Sequence, residues 1–389
     1  MPTFAAQFLE YFDPVVHTPA SVHERLRQAF ARLPFEILII GWDLPSEIIA
    51  ICAKETARQN AKLYRWHPLL SGDGHFVPRP EWKTIGASGQ PVNGFKGLDE
   101  FTFACPNNPQ VREAVFEHLQ AALSATHYDG LFLDRIRFPS PANDPLTELA
   151  CFCPDCVCAA EGAGLDLEFA QREIIHLAKS PTGRLALAEQ LFTPGADLAG
   201  LMAFRQRTIS AFIQSAAEIA RANGCAVGLD TFSPALTPMV GQDLSALDAV
   251  CDWIKPMSYA HTLGPAGLPY ELLGLANWLI SGGTPETEAM GCLKAASGLE
   301  LPASRSALRE DGLPPSALEN ETKMAKRQGV RKVLAGIALV ELENINRVPA
   351  DLFPSELNAY HAGGADGLVL AWDLWQIPLE RLEQIAKFW

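Results

Sequence analysis

Residues 128–139 read YDGLFLDRIRFP, a short apolar run that ends in charged residues. Within it, Leu131 and Leu133 alternate with Phe132 and Asp134, which is the two-residue period of a β-strand. Because leucines belong against helices, we expect the other face to point into the centre of a closed sheet. The stretch therefore predicts a buried strand that carries the carboxylate of Asp134 at its end.

Similar apolar runs recur along the chain, separated by longer segments with helical spacing. Strands that are buried on both faces read as continuous apolar runs, which favours a parallel sheet. Eight β-α units predict an α/β protein with the (β/α)8 TIM barrel fold, and an open doubly wound sheet with a second domain is the alternative. The candidate strands are residues 35–42, 62–70, 101–105, 129–138, 225–234, 251–259, 332–342 and 365–374.

The length of 389 residues leaves room for insertions, because a barrel of this type needs about 250 residues. We expect a single catalytic barrel over residues 1–389. One insertion after strand four, residues 140–200, is rich in cysteine before it becomes helical, and residues 261–315 form another after strand six. Both follow the carboxyl ends of strands, where barrels build their active sites.

The composition excludes several classes of protein. With 48% apolar and 20% charged residues the chain is expected to fold, and no apolar run is long enough to cross a membrane. A net charge of −14 argues against a nucleic-acid partner. The amino terminus lacks the features of a secretory signal, so we expect a cytoplasmic protein. Phosphate-binding loops are absent from the sequence, which implies no nucleotide cofactor.

Four carboxylates follow or end candidate strands, namely Asp134, Asp230, Glu341 and Asp373. A buried carboxylate without a partner is costly, so such groups are paired, hydrated or functional. If they meet at one mouth, their like charges raise some pKa values and provide both an acid and a base or nucleophile. Glycoside hydrolysis needs such a pair, whereas a scaffold network that holds Asp134 through Arg135, Arg137 or Lys255 is the alternative.

Aromatic and polar side chains near strand ends could bind a carbohydrate. Indole rings can stack on the C–H face of a sugar, although a barrel also uses bulky residues for packing. Histidines there could bind hydroxyl groups or carry protons, but they are often structural. The expected substrate-binding residues are Trp42, His67, Arg137, Lys255, Tyr259, His261, Trp372 and Asp373.

Three segments resemble hypothetical glycosyl hydrolase families with a (β/α)8 barrel. The Asp-Gly, apolar strand, Asp, Ile-Arg-Phe-Pro order of residues 129–139 is similar to their fourth strand. Residues 151–156, CFCPDC, resemble the segment that follows that strand, and residues 252–259, DWIKPMSY, resemble the sixth strand. The resemblance implies a carbohydrate-active barrel, a glycosidase. The expected cytoplasmic location points to an oligosaccharide or glycoconjugate as the substrate, and we expect no required cofactor.

The resemblance also implies roles for the carboxylates. In barrels like α-fucosidases and α-galactosidases the strand-four Asp is the nucleophile, which here is Asp134. Glu341 is then the general acid/base, with Asp230 as its rival, and the reversed assignment also fits. The glutamate that cellulase-like enzymes carry on strand four is absent. Carboxyl groups about 5–5.5 Å apart predict retention, and about 6.5–9.5 Å inversion.

Four of the nine cysteines, Cys151, Cys153, Cys156 and Cys158, lie within eight residues. Cys153 and Cys156 have the spacing of a zinc knuckle, and a structural zinc ion takes four nitrogen or sulfur ligands. Close-set ligands usually need a partner from another segment, for which His176 is a candidate. The cluster therefore indicates structural zinc, reduced thiols or disulfides.

Two other functions stay open from the sequence. Lys255 lies on strand six, where class I aldolases carry their Schiff-base lysine, and desolvation could make it nucleophilic. The chain could also be a barrel that binds carbohydrate without catalysis. The sugar, its linkage, the stereochemistry and the oligomeric state do not follow from the residues.

Overall fold

Eight parallel strands form one barrel in the computed structural model, which describes residues 2–72, 76–195 and 197–389. Their spatial order is β6-β5-β4-β3-β2-β1-β8-β7. A parallel bridge between Ile254 and Val333 joins β6 to β7 and completes the circle. The strands are β1 (Thr3–Phe8), β2 (Ile37–Ile40), β3 (Lys62–Pro68), β4 (Gly130–Asp134), β5 (Ala226–Phe232), β6 (Trp253–Met257), β7 (Leu334–Ala338) and β8 (Gly367–Ala371).

Helices connect the strands and cover the barrel. Along the chain they are α1 (Pro19–Phe30), α2 (Ser46–Arg58), α3 (Pro109–Ala125), α4 (Pro145–Glu148), α5 (Pro154–Gly162), α6 (Leu167–Leu177), α7 (Pro181–Phe192), α8 (Ala199–Ala222), α9 (Leu244–Asp248), α10 (Leu268–Ser281), α11 (Glu286–Ser297), α12 (Arg305–Asp311), α13 (Pro315–Arg327), α14 (Phe353–Gly363) and α15 (Leu379–Phe388). Four of these, α4 to α7, lie between β4 and α8, and three, α10 to α12, lie between β6 and α13. Within the described ranges, none of the helices is long and apolar enough to span a bilayer.

The barrel interior is filled largely by aromatic rings. Phe132 of β4 stacks on Trp253 of β6 with ring centroids 5.4 Å apart, and Tyr64 of β3 contacts the same indole. Leu131 and Leu133 instead belong to the separate core between strands and helices. The predicted inward face of this strand is therefore confirmed.

Gly228 of β5 makes the packing around Trp253 possible. A Cβ at this position would lie 2.2 Å from the indole ring, which Tyr64 and Phe132 hold in place. We expect Gly228→Ala to lower the free energy of unfolding by about 1–3 kcal/mol through overpacking. Thermal unfolding measures this, with Gly291→Ala on α11 as the control. There a Cβ meets nothing within 4 Å, so the control should be neutral or stabilising, and an equal loss in both variants would contradict the explanation.

The predicted barrel is confirmed, but one of its eight strands was misplaced. Residues 101–105 form no strand, since Phe103 and Ala104 make only isolated antiparallel bridges to Ser71 and Lys83 in the connection after β3. The missing strand is Thr3–Phe8, which pairs with β2 and β8. The prediction thus has one strand too many and one too few before residue 128. The count is unchanged, and Asp134 still ends the fourth strand.

Candidate active site

Asp134 lies at the carboxyl end of β4, half-buried in the mouth of the barrel. Its Oδ2 accepts a hydrogen bond from Trp66 Nε1 of β3 at 2.9 Å. Its Oδ1 accepts from the backbone N–H of Arg135 at 2.5 Å. These two donors fix the carboxylate, while its partial exposure leaves it accessible to a ligand. Within the described part of the chain, no arginine or lysine side chain forms an ion pair with Asp134, which weakens the scaffold alternative.

Asp230 lies on β5, beside Asp134, but its surroundings differ. Lys255 Nζ donates to Asp230 Oδ2 at 2.9 Å and to Gln7 Oε1 at 3.0 Å, and these side chains are buried. Burial raises the pKa of Asp230 to about 7, although Lys255 lowers it and Asp134 raises it further. Asp230 Oδ1 has no hydrogen-bond partner among the described residues. Lys255 Nζ is therefore held between two acceptors at the base of the mouth.

Glu10, which the sequence reasoning missed, belongs to the same group of charges. It follows β1, and the charges that act on it are those of Arg135, Asp134, Asp373 and Lys255. Desolvation in the mouth raises the pKa of Glu10 to about 7, Arg135 opposes this and Asp134 adds to it. The Glu10 side chain is nevertheless exposed to solvent. Recognition of residues 3–8 as a strand would have drawn attention to Glu10.

Asp373 lies below the surface of the mouth, just after β8. Its Oδ1 accepts hydrogen bonds from the backbone N–H groups of Leu9 at 2.8 Å and Trp375 at 2.9 Å. Burial raises the pKa of Asp373 to about 6, and the two backbone bonds lower it. The side chain is 4% exposed, so its direct role is to hold the Leu9 backbone.

Glu341 lies outside the strand to which it was assigned. The predicted strand over residues 332–342 ends at Ala338, and Glu341 is exposed in the following loop. Its Oε1 accepts a hydrogen bond from the Val348 backbone at 2.9 Å. An exposed loop carboxylate keeps its hydration, so its surroundings differ from those of Asp134 and Asp230.

Two tryptophans of the predicted binding set lie partly exposed near the carboxylates. Trp42 meets Trp66 edge-on, with ring centroids 5.4 Å apart. Trp372 meets Tyr259 at 5.8 Å. The Tyr259 hydroxyl is buried with no hydrogen-bond partner among the described residues, and burial raises its pKa well above the ordinary value.

Arg137 is buried next to the mouth, between the rings of Phe103 and Phe232 at 4.4 and 4.5 Å. Burial lowers the pKa of Arg137 to about 10, whereas Glu271 raises it. Arg137 lines a side pocket that also includes Tyr270. A planar cation held by two rings is suited to hydrogen bonding with hydroxyl groups.

The two predicted histidines lie away from this group. His67 packs on the helix side of β3, where its ring stacks on His118 of α3 at 5.3 Å. Nε2 of His261 is 2.7 Å from Glu356 Oε1 on α14, and both side chains are buried. Strand alternation explains His67, because Tyr64 and Trp66 take the inward face of β3.

A second cluster contains four buried cysteines. Their sulfur atoms all lie within 4.8 Å of one another, with Cys105 Sγ 3.4 Å from Cys156 Sγ and 3.5 Å from Cys153 Sγ. The members are Cys105, Cys151, Cys153 and Cys156. Cys158, which the sequence pattern included, is exposed on α5 and is replaced by Cys105 from the connection between β3 and α3. His176 is likewise exposed on α6.

Hydrogen-bond donors and a buried cation surround the sulfur atoms. The Ile85 backbone N–H donates to Cys151 Sγ at 3.3 Å, and Asn107 Nδ2 donates to Cys156 Sγ at 3.2 Å. Bonds from the neighbouring thiols, Cys105 first, lower the pKa of Cys153. Arg205 is fully buried beside the cluster; burial lowers its pKa to about 9 and the sulfur atoms of Cys151 and Cys156 raise it. The neighbouring thiols raise the pKa of Cys105, so one thiolate at Cys153 is favoured over several.

Comparison with known proteins bears on the fold. No family model and no curated protein matches the sequence. Among solved structures, the PgaB (BpsB) glycoside hydrolase domain from Bordetella bronchiseptica has a TM-score of 0.56 at 12% identity, over 99% of this chain and 98% of that one.

Two more solved structures extend the comparison. The β-galactosidase from the psychrophilic Marinomonas ef1 has a TM-score of 0.59 at 11% identity, over 99% of this chain and 59% of that one. The catalytic domain of the β-amylase from Paenibacillus polymyxa has a TM-score of 0.52 at 11% identity, over 100% and 99%. The chain thus spans less than two thirds of the β-galactosidase and nearly all of the other two. At these identities the shared property is the barrel fold.

Proposed function

We propose that this protein is a glycoside hydrolase that cleaves a glycosidic bond in the mouth of the barrel. The observation that carries the proposal is the group of Asp134, Asp230 and Glu10 at the carboxyl ends of three strands, beside partly exposed indole rings. Barrels place catalytic residues at this end of their strands. The similar structures, a glycoside hydrolase domain, a β-galactosidase and a β-amylase, give the proposal further support.

In the proposed reaction, Asp134 is the nucleophile. Its carboxylate attacks the anomeric carbon as the bond to the leaving oxygen breaks, and a carboxylic acid gives that oxygen a proton. Water, deprotonated by the same second carboxylate, then hydrolyses the ester and frees Asp134. Glu341 and Asp230 are the second carboxylates that the sequence suggests. Asp230 is buried and paired with Lys255, and Glu341 is the more accessible of the two.

Binding of the sugar is assigned to side chains around Asp134. Trp42 and Trp372 offer partly exposed rings for stacking on C–H faces. Arg137 and Tyr259 offer polar groups for hydroxyls, and Lys255 with Asp373 shape the base of the mouth. We therefore propose a carbohydrate substrate, either an oligosaccharide or a glycoconjugate.

The test is a panel of aryl glycosides of both anomers, incubated with purified wild-type protein and with Asp134→Asn in parallel. We expect release of the aryl alcohol from one class of sugar by the wild type only. Proton NMR of the first product gives the stereochemistry, and retention is expected for a nucleophilic Asp134. If natural oligosaccharides and aryl glycosides of every sugar tried stay intact, or if both proteins cleave equally, the proposal is wrong.

We also propose that the four-cysteine cluster holds a structural zinc ion. Tetrahedral zinc with Zn–S bonds of about 2.3 Å places sulfur atoms about 3.8 Å apart, close to the 3.4 and 3.5 Å separations found at Cys105. Four thiolates around zinc carry a net negative charge, which the buried guanidinium of Arg205 offsets. Bound there, zinc would tie the connection after β3 to the segment after β4.

Metal analysis of the purified protein tests the zinc proposal. We expect about one zinc ion per chain, and an absorption band of cobalt thiolate after exchange with Co²⁺. Protein that contains no zinc and takes up neither metal after reduction would show that the cysteines are a cluster of thiols.

A further inference from the structure

We propose that Glu10 is the general acid/base of the reaction, a role that rests on the proposed function. The side chain would give its proton to the leaving oxygen as the glycosidic bond breaks. It would then take a proton from the water that hydrolyses the ester at Asp134. Each turnover thus consumes one water and returns both carboxyl groups to their starting forms.

The position of Glu10 in the barrel is the first argument. β1 is separated from β4 by β2 and β3, so in a ring of eight strands Glu10 approaches the mouth from nearly the opposite side to Asp134. Asp230 lies on β5, the strand next to β4, and therefore on the same side of the mouth as Asp134. A glycosidic bond between Glu10 and Asp134 would have carboxyl groups on both of its sides, as the chemistry requires.

The backbone before Glu10 is held firmly. Leu9 has a φ of 57°, a left-handed conformation that a leucine adopts only where its surroundings impose it. Its N–H donates to Asp373 Oδ1 at 2.8 Å. On the other side Gly41 contacts the Leu9 carbonyl, and a Cβ at Gly41 would lie 2.0 Å from that oxygen. Two neighbouring strands therefore fix the turn that presents Glu10.

Access and charge separate Glu10 from the other candidates. Glu10 is exposed, whereas Asp230 is 3% exposed and paired with Lys255. The charge of Glu10 also acts on Asp230 and Tyr259, which places it within the mouth. Desolvation raises the pKa of Glu10; Arg135 and Lys255 oppose this rise, and Asp134 and Asp373 add to it. A raised pKa keeps the proton that a general acid needs.

Two glycosides of the same sugar test this role, one with an alkyl and one with a 2,4-dinitrophenyl leaving group. Departure of the alkyl alcohol needs a proton from a general acid, whereas dinitrophenolate leaves without one. For Glu10→Gln we expect a loss in kcat/KM of about 10²–10⁴-fold on the alkyl glycoside and less than about tenfold on the dinitrophenyl glycoside. Azide should accelerate the variant on the dinitrophenyl glycoside and give a glycosyl azide. A fall in wild-type kcat/KM at alkaline pH, which reflects loss of the Glu10 proton, should disappear in the variant.

The other variants make the result specific. Asp134→Asn should lose activity on both substrates. Glu343→Gln, at an exposed position in the loop after β7, should keep its activity on both. Equal losses on both substrates in Glu10→Gln, or none, would overturn the assignment while leaving hydrolysis intact. If Glu341→Gln or Asp230→Asn, and not Glu10→Gln, shows the large loss on the alkyl glycoside with a small loss on the dinitrophenyl glycoside, that residue is the general acid/base. A wild-type protein that cleaves neither glycoside would overturn the function together with this role.

Discussion

The Asp134→Asn variant should cleave the substrate on the order of 10³-fold or more slowly than the wild type, a loss of about 4 kcal/mol in transition-state stabilisation. The amide keeps the shape of the side chain and can still accept a hydrogen bond from Trp66 Nε1, but it is a poor nucleophile. Steady-state kcat/KM on the best glycoside of the panel measures the effect. Folding should be little affected, since the side chain is half-buried.

The thermal unfolding midpoint is the control for Asp134→Asn. It should lie within a few degrees of the wild type, and Glu343→Gln should keep wild-type kinetics. If the amide variant does not fold, Asp134→Ser gives a second test. The smaller side chain fits the same space and offers a hydroxyl oxygen in place of the carboxylate that accepts from the Arg135 N–H. Full activity in a folded variant of either kind would exclude Asp134 from the chemistry.

The Cys105→Ser variant should lose zinc and unfold far more easily than the wild type. Removal of one of four ligands leaves three buried sulfur atoms and the buried Arg205 without the ion that organises them. Because binding of a structural metal contributes directly to folding, we expect a destabilisation of more than about 4 kcal/mol. Metal analysis and denaturant unfolding of the same samples measure both effects.

Cys158→Ser is the matched control, since Cys158 belongs to the same sequence cluster but is exposed on α5. It should keep one zinc ion per chain and the stability of the wild type. A chelator should destabilise the wild type and Cys158→Ser, but have no effect on Cys105→Ser. Zinc loss in Cys158→Ser with retention in Cys105→Ser would restore the ligand set that spacing alone suggested.

The sequence predicted the barrel because its strands are buried on both faces and therefore read as apolar runs. It missed β1, in which Gln7 interrupts a run of small and aromatic residues. Gln7 faces inward and accepts a hydrogen bond from Lys255 Nζ across the barrel. A polar residue placed there for this contact breaks the apolar pattern by which a strand is predicted. The loss of β1 from the prediction also concealed Glu10.

Contacts between distant segments explain the other differences. Cys105 lies 46 positions before Cys151, and nothing in the spacing reveals that the two connections meet. The inward direction of the Asp134 side chain was predicted from the sequence because alternation within one strand decides which way each side chain points. Glu341 follows a similar apolar run, but that strand ends at Ala338, and the backbone beyond it no longer alternates. Local pattern therefore fixes orientation within a strand and fails at its end.

The bond between Asp373 and Leu9 joins residues 364 positions apart. A ribosome must therefore complete the region of β8 before the turn at Leu9 can acquire its anchor. Nascent chains that stop after β7 would carry Asp134, Asp230 and Lys255 without this bond to the Leu9 backbone. The complete arrangement of the mouth therefore forms only after β8 and Asp373 have been synthesised.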